Sequence, residues 1–190
     1  MPMKRIIIGI TGASGAIYGI RMLEMLREVS GVESHVIVSS AGQMNIAHEL
    51  GMDAKSVAAL ADVAYKEKEI WEKIASGSFK TDGMVIAPCS VKTLSAVATG
   101  YCDNLISRAA DVCLKERRRL VLLVRETPLH LGHIRNMASV TEMGGIIELP
   151  VPAFYSKPET ISDLVDETAA KALDGFGIDV SKYLKPWNGL

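Results

Sequence analysis

Cysteine is scarce in this chain: three in 190 residues, Cys89, Cys102 and Cys113, far apart and with no C-x-x-C pair. That spacing suggests neither a disulfide framework nor a zinc ribbon, and a reducing, cytoplasmic setting follows. Excess charge of one sign is also missing. A formal net charge of −1 creates no long-range field for nucleic acid or an anionic membrane. No apolar run is long enough to span a bilayer, and the first one is broken at Gly9, too short for a secretory h-region. Nor is there an internal repeat or a domain linker. With 48% hydrophobic and 23% charged residues, residues 1–190 read as one α/β domain with a sizeable core, in which about 175–190 form a C-terminal tail.

Several nucleotide-binding signatures are absent as well. The glycines at 9, 12 and 15 miss the dinucleotide fingerprint, and no Lys-Ser/Thr pair follows as a Walker loop requires. None of the five tyrosines has Lys four residues on, which argues against a short-chain reductase. The second strand, read over residues 33–40, ends in Ser39 and Ser40 rather than in the carboxylate that would hold an adenosine ribose. His130 and His133 are three apart, but no third ligand of suitable spacing accompanies them, so no metal site is expected.

What is present begins with Arg5-Ile-Ile-Ile-Gly-Ile-Thr-Gly-Ala-Ser-Gly15, followed by apolar residues at Ile17, Ile20, Leu23 and Leu26. Strand, small-residue turn and helix outline a phosphate site, with the first amides of that helix expected to be free for an anion. The ligand reads as a nucleotide or flavin phosphate of open identity, and the alternative is a turn that is small only for packing. The pattern recurs downstream. Met84 to Ala87 reads as a buried strand, and after Pro88 come Cys89, Ser90, Val91, Lys92 and Thr93 ahead of a helix. Ser90 and Thr93 suit a helix cap or a ligand equally. Leu120 to Val124 reads as another buried strand, with Arg125 and Glu126 at its carboxyl end, where ligands of open α/β sheets bind.

Helices are expected over residues 41–50, carrying Glu49, over 54–60, 103–119, most of 129–143, and 161–173, with a last strand at 146–149. Residues 65–78 read as a charged, partly exposed connection. Arg108 and Lys115 share a helix face, and residues 150–158 form a rigid loop presenting Phe154 and Tyr155. The tail reads as a segment that frays or clasps a neighbouring subunit.

Taken together, Gly9-Ile-Thr-Gly-Ala-Ser-Gly15, Ala87-Pro-Cys-Ser-Val-Lys-Thr93, Asn104-Leu-Ile-Ser-Arg-Ala-Ala-Asp111, Leu114-Lys-Glu-Arg-Arg118, Arg125-Glu-Thr-Pro128 and Phe154-Tyr155 closely resemble the flavin prenyltransferases of the UbiX family. The likeness covers nearly the whole chain and is greatest to the branch found beside hydroxyarylic acid decarboxylases, formerly called decarboxylase subunits. It implies a Rossmann-like (flavodoxin-like), doubly wound, mainly parallel sheet in three layers, α/β/α. It implies transfer of the dimethylallyl group of dimethylallyl monophosphate to N5 and C6 of reduced FMN without a metal. The product, prenylated FMN, would serve a UbiD-type decarboxylase, and the assembly would be a dodecamer with sites at subunit interfaces.

By the same resemblance, Gly12, Ala13, Ser14, Ser39, Ser90, Val91, Lys92, Thr93 and Arg125 match FMN-binding positions. Ser14 and Glu49 match residues near the reacting flavin edge, and Glu126 a carboxylate of proton transfer. Arg108, Lys115, Tyr155 and Lys171 match the groups that hold the prenyl phosphate, Lys115 also counting as catalytic. Family members often carry Arg where this chain has Lys171, which keeps the charge but loses the bidentate fork. Two alternatives stand beside this reading: an FMN-dependent cysteine decarboxylase-like flavoprotein, for which a catalytic His has no counterpart, and a non-catalytic FMN carrier.

Overall fold

Strand β1 (Lys4–Ile10) has almost no surface because both of its faces are covered. Ile6, Ile8 and Ile10 enter one apolar cluster and Ile7 the other, following the twofold alternation of a strand. The computed structural model describes residues 3–187 and 189. Met1, Pro2, Asn188 and Leu190, at the ends of the opening run and of the tail, lie outside the described residues.

Five further strands, β2 (Val32–Val38), β3 (Val63–Lys66), β4 (Gly83–Cys89), β5 (Arg119–Val124) and β6 (Ile146–Glu148), join β1 in one parallel sheet of order β3-β2-β1-β4-β5-β6. The chain winds outward from β1 to β3, returns to the centre at β4 and winds outward again. The strand order therefore reverses between β1 and β4, and a crevice opens beyond their carboxyl ends.

Helices α1 (Ala16–Arg27), α2 (Ser40–Leu50), α3 (Ala54–Ala58) and α7 (Ile161–Asp174) contribute to the cluster on one face. α4 (Val91–Thr99), α5 (Leu105–Lys115) and α6 (Leu131–Glu142) contribute to the cluster on the other. The result is the expected three-layer doubly wound arrangement. α1 lies close to the sheet because of Gly19, where a methyl group would fall 2.3 Å from the Ala87 carbonyl oxygen.

Three expectations need correction. Residues 65–78 are not all connection, because Tyr65 and Lys66 end β3, an edge strand of four residues whose inward side chains are Val63 and Tyr65. Too short for a clear alternation, it takes its conformation from pairing with β2. The helix read over 103–119 covers only Leu105–Lys115. Asn104 caps its start through Ser107, and Arg117 takes a left-handed φ of 56° just past its end. The start of the tail does not fray: Phe176, Ile178 and Val180 are buried in the core beside α1 and α7, and Lys182 and Tyr183 both bond Glu28.

Candidate active site

The turn after β1 is held by a buried hydroxyl. Thr11 donates through Oγ1 to the Pro88 carbonyl at 2.7 Å and accepts from the Ser90 amide at 2.8 Å, locking the β1 and β4 ends together. Sequence reading passed over Thr11 because a single Thr among small residues carries no periodic signal. Gly12 then passes so near the start of α2 that a methyl group there would fall 2.4 Å from the Ala41 methyl.

The first amides of α1 are not free, contrary to expectation. A Glu49 carboxylate oxygen accepts from the Gly15 amide at 3.0 Å and the Ala16 amide at 3.1 Å, so a carboxylate from α2 occupies the positive end of α1. The same device closes α2. Glu67, just past β3, accepts from the Ser40 amide at 2.8 Å and its hydroxyl at 2.9 Å. Glu67 was missed in the sequence because its strand was missed. Ser39 caps α2 by accepting from the Gly42 amide.

At α4 the capping group is neutral. Ser90 Oγ accepts from the Thr93 amide at 3.3 Å and donates to Thr93 Oγ1 at 3.2 Å. No carboxylate accepts from the amides of Val91 and Lys92 among the described residues, so this helix start keeps its donors for an anion. The capping and ligand readings of Ser90 are thus compatible, because the cap forms the cradle.

A cavity of about 620 Å³ opens at this place, a size suited to a small-molecule ligand. Its walls include Gly12, Ala13 and Ser14 after β1, Ser39 after β2, Ser90 to Thr93 after β4, and Arg125 with Glu126 after β5. Every residue matched to FMN binding by resemblance lines it. Lys92 pairs with Asp103 at 2.8 Å, whereas Arg125 has no ion pair among the described residues. Arg125 also acts on Tyr18, whose phenol is raised above its ordinary pKa by burial and partly drawn back by the guanidinium. A flavin phosphate fits this donor set of one guanidinium, a helix start and hydroxyls.

The remaining matched residues are dispersed within one chain. Ser14 and Glu49 border a neighbouring open cleft over α1. Tyr155 and Lys171 line a second cavity of about 470 Å³ between β6 and α7. Arg108 and Lys115, on α5, line neither cavity. Arg108 bonds the Ala75 carbonyl at 3.1 Å and Asp111 at 2.7 Å, and Lys115 bonds Glu116. His130 and His133 stack on each other with centroids 3.5 Å apart, and no metal-like cluster of three His, Cys, Asp or Glu side chains occurs among the described residues.

Comparison with known proteins places this architecture. The family model described as Flavoprotein matches residues 1–173. The flavin prenyltransferase UbiX of Salmonella typhimurium is 53% identical over 188 residues, spanning 98% of this chain and all of the relative. The structure of AnUbiX (PadA1) in complex with FMN and dimethylallyl pyrophosphate superposes with a TM-score of 0.95 at 46% identity, covering 99% of each chain. A dodecameric FMN-dependent UbiX-like decarboxylase from Escherichia coli O157:H7 gives 0.94 at 45% identity, covering 97% of this chain and all of the other. The cysteine decarboxylase TvaF, at 17% identity and a TM-score of 0.64 over 88% of this chain and 98% of its own, shares the fold alone. With a crevice of this geometry and likeness over its whole length to such proteins, the chain belongs to the UbiX family of flavin prenyltransferases.

Proposed function

We propose that the chain transfers the dimethylallyl group of dimethylallyl monophosphate to N5 and C6 of reduced FMN, releasing phosphate and prenylated FMN. The observation that carries this reading is the cavity at the β1/β4 reversal, where a helix start with unspent amides faces Arg125. When bound, reduced FMN supplies the electron-rich atoms that accept the prenyl carbon.

The chain's part is binding, orientation and proton handling. Arg125, Ser90, Thr93 and the amides of Val91 and Lys92 hold the flavin phosphate, while Gly12, Ala13, Ser14 and Ser39 shape the wall beside it. Negative charge grows on the leaving phosphate as its ester C–O bond breaks. Fixed cations and a phenol, Arg108, Lys115, Lys171 and Tyr155, are the groups to receive that charge. Glu126 or the departing phosphate accepts the proton lost from C6, while Ser14 and Glu49 orient the reacting edge. Because these groups are dispersed in one chain, the reading requires neighbouring copies to complete the site, as in a dodecamer. Delivery of prenylated FMN to a UbiD-type decarboxylase in the cytoplasm completes it. No helix among the described residues is long and apolar enough to cross a membrane.

The test is incubation of the protein with reduced FMN and dimethylallyl monophosphate, followed by mass spectrometry of the released flavin. The expected result is FMN heavier by one prenyl unit, formed without added metal. An unchanged flavin mass overturns the reading.

A further inference from the structure

The second cavity contains a carboxylate that the proposed reaction does not use. Glu148, at the end of β6, lines the same wall system as Lys171 of α7. The other charged or titratable groups facing this space are Glu167 and Asp174 from α7, Lys185 from the C-terminal segment and Tyr155 from the 150–158 loop. Two of them are already engaged: Glu167 accepts from Ser156 Oγ at 2.6 Å, and Lys185 donates to the Ser156 carbonyl at 3.1 Å. Lys171 has no ion pair and Glu148 accepts no hydrogen bond among the described residues. Glu148 is half-buried between Ile147 and Leu149, and burial pushes its carboxyl above the usual carboxylate range, an effect that the Lys171 ammonium partly offsets.

An ammonium meant to hold a phosphate therefore shares a confined space with a carboxylate that competes for it. Lysine is a compact point charge whose field is easily drawn to one side, unlike the fork of an arginine. We propose that Glu148 is a positioning residue that sets how strongly Lys171 grips the substrate phosphate: the two line one cavity without forming an ion pair, and a negative charge at Glu148 weakens the grip that a neutral carboxyl leaves intact. The inference rests on the reading of Lys171 as a phosphate ligand. By linkage, phosphate at Lys171 raises the proton affinity of Glu148 by the same factor by which protonation strengthens phosphate binding.

The experiment is calorimetric titration of the FMN-loaded protein with dimethylallyl monophosphate from about pH 5 to about pH 8, for wild type and Glu148→Gln side by side. At the upper end Glu148→Gln should bind about three- to tenfold tighter, a tenfold change matching one pKa unit of coupling. As pH falls the two curves should draw together, because wild-type Glu148 takes up its proton and comes to resemble the amide. The ligand's own phosphate titration is common to both proteins and cancels in the comparison. In a Lys171→Met background, Glu148→Gln should change nothing, a result that a merely structural role would not produce. Glu148→Met, suited to the apolar wall, repeats the comparison if the amide variant fails to fold. Parallel curves at every pH, weaker binding by Glu148→Gln at the upper end, or no phosphate binding to either protein would each overturn the inference. Binding is measured without turnover, so failure of prenyl transfer and failure of this inference are separate results.

Discussion

Thr11 shows how one buried side chain can govern a site to whose wall it contributes little surface. The residue is 1% exposed and its hydroxyl bridges two strand ends. Thr11→Val keeps the shape but orphans the Ser90 amide, so a loss of about 1–3 kcal/mol is expected in denaturant unfolding, with weaker FMN binding because Ser90 heads α4. Arg125 and Glu126 are adjacent in sequence but should separate in effect. Arg125→Ala should weaken FMN about 10- to 100-fold, as loss of a charge-assisted hydrogen bond of ~1.5–3 kcal/mol implies. Glu126→Gln should retain FMN and slow prenyl transfer about 100-fold, the lower range for a positioned base. Equilibrium dialysis and single-turnover mass spectrometry read the two effects independently. Equal turnover of Glu126→Gln and wild type would remove Glu126 from the proton path.

At the scale of elements, three helices start at the crevice and two of these starts are closed by the protein's own carboxylates, Glu49 on α1 and Glu67 on α2. The dipole that attracts a phosphate attracts a side-chain carboxylate equally well. A strand-turn-helix pattern in sequence marks such a place but cannot say which anion fills it. α1 itself depends on Gly19 for its closeness to β4. Gly19→Ala places a methyl 2.3 Å from the Ala87 carbonyl oxygen and 2.7 Å from Ile10. The expected cost is about 1–3 kcal/mol from overpacking, visible in thermal unfolding together with looser FMN binding, since Ala87 lies near the end of β4, which leads into Ser90.

For the molecule as a whole, the segment after α7 belongs to the core. Deleting residues 175–190 exposes the sites of Phe176, Ile178 and Val180, each contributing about 1.5–3 kcal/mol of burial before the ordering cost is subtracted. The truncated chain should melt well below the full one in a thermal scan. Unchanged melting would mean that the tail contributes nothing.

Stability should also depend on pH through His35, buried in β2 against Tyr65 and Phe79, with Nδ1 3.0 Å from the Tyr65 hydroxyl. Burial lowers its pKa below 6.5 more than Glu33, 2.8 Å from Nε2, raises it. The unfolded chain therefore binds the extra proton first. The contribution is complete above about pH 6.5 and is lost as pH falls from there through the folded pKa. Unfolding free energy measured at intervals below about pH 6.5 should fall in wild type and flatten in His35→Gln.

Much of this is legible in the sequence. β1, β4 and β5 are long enough and apolar enough that local composition alone selects buried strands, and parallel winding places their carboxyl ends, with Ser90 and Arg125, around one crevice. Motifs spread over nearly the whole chain identified the family, because each holds residue types that the chemistry needs at a turn. What local sequence could not decide was anything set by contact between distant segments. β3 exists because β2 pairs with it, the amides of α1 are filled because Glu49 lies opposite them, and the tail folds back because Phe176 packs into the core. Such outcomes depend on which groups meet in space, and the free energy of that meeting is absent from any short window of residues.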